Sequence, residues 1–169
     1  ARAPGYAEAV PPGGVADAAP LPASLAGTDT AGGLAVDADG RFVPTRDALE
    51  LFDYFLAARG EEPDERIRAR IEAAVAARLS DPAPALALLD RYLAYREAAR
   101  TLFFAEHGAE LPLERRVQRV RELRREHFGA ELAATLFGVE EERWRIDVER
   151  LRVQRDPARP TGRVKVTET

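Results

Sequence analysis

From position 46 onward the chain places its apolar residues at the spacing of one helix face. Leu49, Phe52 and Leu56 recur at i, i+3 and i+7 with Phe55 beside them, the stripe of an amphipathic helix. Thr45 is a candidate N-cap, which spacing alone does not separate from Pro44, and Gly60 closes the pattern. A second helix is predicted after Pro63, where Ile67, Ile71, Val75 and Leu79 repeat every four residues. Ser80-Asp81-Pro82 ends it, because proline offers no N–H to the preceding turn. A third follows Pro84, carrying Leu86, Leu89, Tyr92 and Leu93 and continuing through Ala99, Leu102 and Phe103 to Gly108. Three such helices over 46–107 can share a core, though one of marginal size. Segment 24–45 is therefore expected to cover one side, with Leu34, Val36 and Phe42 in extended conformation and Asp37-Ala38-Asp39-Gly40 as a turn.

Pro112 opens a further helix whose apolar edge is Val117, Val120 and Leu123, interrupted at Gly129. Residues 131–138 form a short piece, apolar on one side, and 139–156 a last helix stopped by Asp156-Pro157. Residues 1–22 are punctuated by proline and glycine without any period, which reads as a flexible or disordered linker. The expected fold is all-α. It consists of a linker over 1–22, a mini-domain over 23–108, an extended helical arm over 109–156 and an irregular tail over 157–169.

Composition removes several classes of chemistry. The 169 residues contain no Cys, which excludes disulfides, thiolate catalysis and Cys-ligated zinc. His107 and His127 are the only histidines, too few for a multi-histidine metal site. With no Met in the sequence, Ala1 is read as an internal cut or a processed end, any anchor lying upstream. No run approaches the ~18 apolar residues of a membrane span, and no signal peptide is visible. The 25 Lys+Arg against 29 Asp+Glu, a net charge of −4, argue against global affinity for nucleic acid.

The candidate sites have plain counter-readings. Glu61-Glu62 and Glu140-Glu141-Glu142 are clustered carboxylates, but adjacent carboxylates at helix starts more often meet the helix dipole than perform acid–base work. No phosphate-binding loop, nucleophile elbow or zinc-helix motif is present. The turn at Asp37 fails as a calcium loop, since its sixth and twelfth positions are Phe42 and Ala48. Helix 113–128 holds six Arg against three Glu. That excess could attract phosphate, and a nucleic-acid-associated module or plain helical adaptor is the competing reading. The interleaving of Arg with Glu favours a solvated face of i,i+4 pairs instead. Finally, Phe52, Asp53, Tyr54 and Phe55 sit together on the first helix. The two Phe share the inner stripe while Asp53 and Tyr54 lean outward, either to contact a partner or to finish the edge of the core.

The run Leu49-Glu50-Leu51-Phe52-Asp53-Tyr54-Phe55-Leu56-Ala57-Ala58 resembles the signature Arg-x-x-Phe-Asp-Tyr-(Phe or Cys)-Leu-Ser-Ala of the lipase-specific foldases, also called lipase chaperones. Flanking stretches resemble the family too: Ser24 to Thr28, Gly33 to Gly40, Arg59-Gly60-Glu61, Leu89 to Leu93 with Tyr95-Arg96, Leu136-Phe137-Gly138 and Arg155-Asp156-Pro157. The likeness covers roughly 23–157. Leu49 stands where the family has Arg, and Ala57 where it has Ser; Arg46, one turn earlier on roughly the same face, is the candidate substitute for the missing guanidinium. The resemblance implies an all-helical clamp of which this chain is a short or truncated form. It implies a steric chaperone that binds one cognate secreted triacylglycerol lipase, 1:1, and promotes its folding. No ATP, cofactor, metal, catalytic residue or nucleic acid would be involved. Its place would be the periplasmic side of the bacterial inner membrane, with contact to the membrane only through an N-terminal anchor absent from this chain. The implied signature residues are Arg46, Phe52, Asp53, Tyr54, Phe55, Leu56 and Ala57. Phe52 and Phe55 would shape helix packing, and Asp53 and Tyr54 would meet the lipase or lock the neighbouring loop.

Overall fold

A computed structural model describes residues 5–6, 20–105 and 112–155. The tail at 157–169, most of the 1–22 linker, the Asp156-Pro157 stop and the end of the third helix at Gly108 fall outside the described residues. The described residues form five helices: α1 (Arg46–Leu56), α2 (Asp64–Ala76), α3 (Ala83–Ala105), α4 (Leu113–Phe128) and α5 (Ala130–Arg155). Three two-residue strands, β1 (Gly5–Tyr6), β2 (Ala35–Val36) and β3 (Phe42–Val43), form an antiparallel sheet in the order β1-β2-β3. Part of the stretch expected to be linker is thus a strand, with Gly5 opposite Val36 and Tyr6 opposite Ala35.

Helix α1 forms where the periodicity put it. Thr45 is its N-cap with extended backbone, but its hydroxyl makes no capping bond. Ala48, Leu49, Leu51, Phe52, Phe55 and Leu56 are all buried, giving a stripe wide enough to face two neighbours. In α2, Ile67, Ile71 and Val75 are buried at every fourth position. Asp81 starts α3 by accepting the Ala83 N–H at 3.1 Å, and Pro84 sits in the first turn, where its missing N–H costs nothing. In the lead-in, Leu25, Leu34 and Ala35 are buried, and Val36 and Phe42 pack partly buried against the core.

Two features depart from the pattern. First, the piece at 131–138 and the helix at 139–156 are one continuous helix, α5. Gly138 carries no stop with it: a lone interior glycine costs about 1 kcal/mol relative to Ala, but keeps its place in the hydrogen-bond ladder. The true break is Gly129, whose φ of +77° and ψ of 163° turn the chain between α4 and α5. Second, the core does not end with α3. Phe128, Ala133, Leu136 and Phe137 from the α4–α5 corner belong to the same buried cluster as Phe52 and Tyr92. Beyond that corner α5 leaves the core, with Val139, Ile146 and Val153 exposed.

Candidate functional site

The signature residues divide by depth. Phe52 is completely buried, with its ring centroid 6.3 Å from that of Tyr92. Phe55 and Leu56 are buried on the same face. Asp53 and Tyr54 lie half-buried at the edge of α1 and point to different neighbours. The Tyr54 hydroxyl lies 3.5 Å from the carbonyl oxygens of both Leu25 and Thr28 and 3.4 Å from the Thr28 hydroxyl, which itself donates to the Leu25 carbonyl at 2.8 Å. It therefore meets the lead-in loop through several long, weak bonds. The neighbouring Glu61 carboxylate accepts the Ser24 N–H at 3.3 Å and ties down the same loop.

Asp53 turns instead to α3. Its carboxylate accepts a hydrogen bond from the Tyr92 hydroxyl at 2.8 Å and forms an ion pair with Arg96. Burial pushes the Tyr92 phenol above its ordinary value, and the adjacent Asp53 carboxylate raises it further. The phenol therefore stays protonated and donates throughout the neutral range. Arg46 is exposed and pairs with Glu50 at 3.0 Å, one turn along its own helix. Ala57 is exposed just past the end of α1.

Arg46, Leu49, Asp53 and Tyr92 line one cleft of about 190 Å³, which Arg124 and Phe137 close from α4 and α5. Arg124 went unnoticed in the sequence. It is 4% exposed, the one buried charged residue among those described. The signal was present: Val117, Val120, position 124 and Phe128 make one helical stripe, and an arginine on an apolar stripe needs internal partners. Those partners are the Tyr95 hydroxyl, 3.1 Å from Nε, and the carboxylates of Glu140 and Glu141. The guanidinium carbon also lies 4.1 Å from the Phe137 ring centroid and 4.5 Å from that of Trp144.

Several of the other carboxylates serve as ion-pair partners. Glu62 holds Arg70 at 2.7 Å. Glu140, Glu141 and Glu142 lie in the middle of α5, so they cannot meet a helix N-terminus as expected; they pair with Arg124, Arg121 and Arg145. Asp37 accepts the N–H groups of Asp39 and Arg41, both at 2.9 Å, in a simple turn. Among the described residues no three His, Asp or Glu side chains gather as a metal site, and no helix is long and apolar enough to cross a membrane.

Comparison with known proteins adds to this geometry. The family model described as proteobacterial lipase chaperone protein matches residues 88–162. A lipase chaperone of Ectopseudomonas mendocina is 39% identical over 145 residues, covering 83% of this chain and 43% of the relative. One from Stutzerimonas stutzeri matches to the same extent, and one from Chromobacterium violaceum is 33% identical over 128 residues, covering 75% and 41%. The chain thus spans somewhat under half the length of the curated relatives it matches. With the Phe-Asp-Tyr-Phe-Leu run on α1 and this similarity along most of its length, the chain belongs to the lipase chaperone family.

Proposed function

We propose that this protein is a steric chaperone that binds a cognate secreted lipase and promotes its folding to the active form, without nucleotide and without catalysing a covalent reaction. The observation that carries this reading is the likeness to proteins named lipase chaperones, with their signature run present at residues 52–56. A folding barrier falls when contacts between chaperone and client strengthen on the way to the transition state; equally strong contacts beforehand would only trap the client. A rigid helical surface suits that task. It supplies preformed side chains and loses little entropy on binding. One client per chaperone, action in the periplasm and a membrane anchor upstream of Ala1 belong to the same proposal.

In this reading Phe52, Phe55 and Leu56 keep α1 in place, while Tyr54 and Asp53 hold the lead-in loop and α3 at fixed positions around it. Arg46, at the rim of the cleft, supplies an exposed guanidinium for the client. Ala57 leaves a small exposed surface there. The competing nucleic-acid reading draws on α4, where Arg121 and Arg124 are occupied by carboxylates of α5.

The test is to dilute urea-denatured cognate lipase into buffer with or without this chain and follow ester hydrolysis. Several-fold more active lipase is expected, independent of ATP, and Tyr54→Ala should lower that gain. Recovery equal to that with an inert protein would overturn the proposal. The chain alone should hydrolyse no ester. Retention on nucleic acid that is lost at moderate salt would favour the alternative.

A further inference from the structure

We infer that Arg124 is a positioning residue for client folding, a buried pin that holds α5 at one angle to the signature helix. The inference rests on the chaperone reading but is carried by separate observations. Asp53, Tyr92, Tyr95, Arg124 and Glu140 form one connected series across four helices. Asp53 accepts from Tyr92 at 2.8 Å, and Tyr92 stacks on Tyr95 with centroids 6.3 Å apart. The Tyr95 hydroxyl meets Arg124, and Arg124 pairs with Glu140 and Glu141. Every step crosses from one element to the next except the Tyr92–Tyr95 contact, which lies within α3. The planar guanidinium lies against the rings of Phe137 and Trp144, both on α5. Lysine has neither the plane nor the fork to make both kinds of contact.

The geometry gives this pin leverage. Its partners on α5 lie between Phe137 and Trp144, while the helix continues to Arg155 with Ile146 and Val153 exposed. At 1.5 Å per residue the length beyond Gly138 is about 25 Å, so a tilt of about 10° at the base carries its tip by about 4 Å. A displacement of that size would misalign a rigid binding surface. The signature carboxylate Asp53 and the exposed face of α5 are therefore coupled through Arg124. The cleft beneath them is where that coupling is made.

The absence of Cys makes the test direct. Ala69 and Gln154 are both exposed; Ala69→Cys with Gln154→Cys, nitroxide-labelled, reports the angle of α5 by pulsed electron resonance. The parent should give one narrow distance distribution. Arg124→Gln should at least double its width and abolish most of the gain in active lipase over the chaperone-free control, with helix content by circular dichroism retained. Tyr95→Phe removes only one hydroxyl and leaves the fold in place; it should broaden the distribution less. Arg124→Lys keeps the charge and should fail to restore the parent width. A broad parent distribution, an unchanged width in both Arg124→Lys and Tyr95→Phe, or a broadened one with full lipase recovery would each overturn the inference. The width is measured without lipase. A parent chain that is narrow yet inactive would count against the chaperone reading and leave the structural half of this inference to be decided by the variants.

Discussion

At the scale of single residues, Gly32 has the least room for a side chain among the described glycines. A Cβ there would lie 2.2 Å from the Asp47 carbonyl oxygen and 2.4 Å from the Leu51 nitrogen, and its φ is +73°. Both clashing atoms are helix backbone, so neither can swing away. The close approach lets the Gly33 N–H reach the Asp47 carbonyl at 3.0 Å and brings Leu34 into the core. Gly32→Ala should cost about 2 to 5 kcal/mol, the sum of a positive-φ penalty and an overpacking penalty. Gly27 has a similar φ of +75° but open space around it; Gly27→Ala should cost only about 1 to 2 kcal/mol. Urea midpoints measured at constant slope give both values, and equal losses would show that the clash relaxes away. At this scale the sequence was partly legible. The apolar stripe of α1 named Phe52, Phe55 and Leu56 as interior, whereas Gly32 read only as a chain breaker. Nothing local revealed that α1 would press against it.

At the scale of elements, two glycines of the α4–α5 region have opposite roles. Gly129 adopts φ +77° with ψ 163°, a conformation closed to other residues. Gly138 lies inside α5, and a Cβ added to it would meet nothing within 4 Å. Gly138→Ala should therefore stabilise the protein by about 1 kcal/mol through helix propensity. Gly129→Ala should destabilise it by about 1 to 3 kcal/mol through backbone strain. Thermal unfolding followed by circular dichroism distinguishes the signs, and a loss of stability in Gly138→Ala would argue that the helix is interrupted there. Sequence spacing treated both glycines as breaks. The structure shows that α5 runs unbroken through the second one, from Ala130 to Arg155.

At the scale of the whole molecule, ion pairs tie distant segments together. Glu62, between α1 and α2, holds Arg70, which also donates to the Pro20 carbonyl at 2.9 Å. The hydrogen bond from Arg70 holds the Glu62 carboxyl below the usual carboxylate range, against an opposing effect of burial. A carboxyl with a depressed value in the folded state contributes in full above its unfolded value, and that contribution is lost as pH falls through the folded value. Glu62→Gln should lower the melting temperature at neutral pH, with the difference from the parent shrinking once the pH drops well below about 4. A difference that stays constant down to strongly acidic pH would mean that the charge of Glu62 is not what stabilises the fold.

The amino-acid sequence by itself determined the all-helical class, the stripes of α1 and α2, the turn at Asp37 and the signature run on α1. Each of these is set by residues within a few positions of one another. Tertiary structure alone decided that Asp53 reaches Tyr92, that Tyr54 reaches Leu25 and Thr28, and that Arg124 sits buried against the rings of Phe137 and Trp144. The physical reason is distance along the chain. Helix spacing says which side of a helix is apolar, but not which neighbour will cover it, and a charged side chain on that side finds its partners only after the helices have packed.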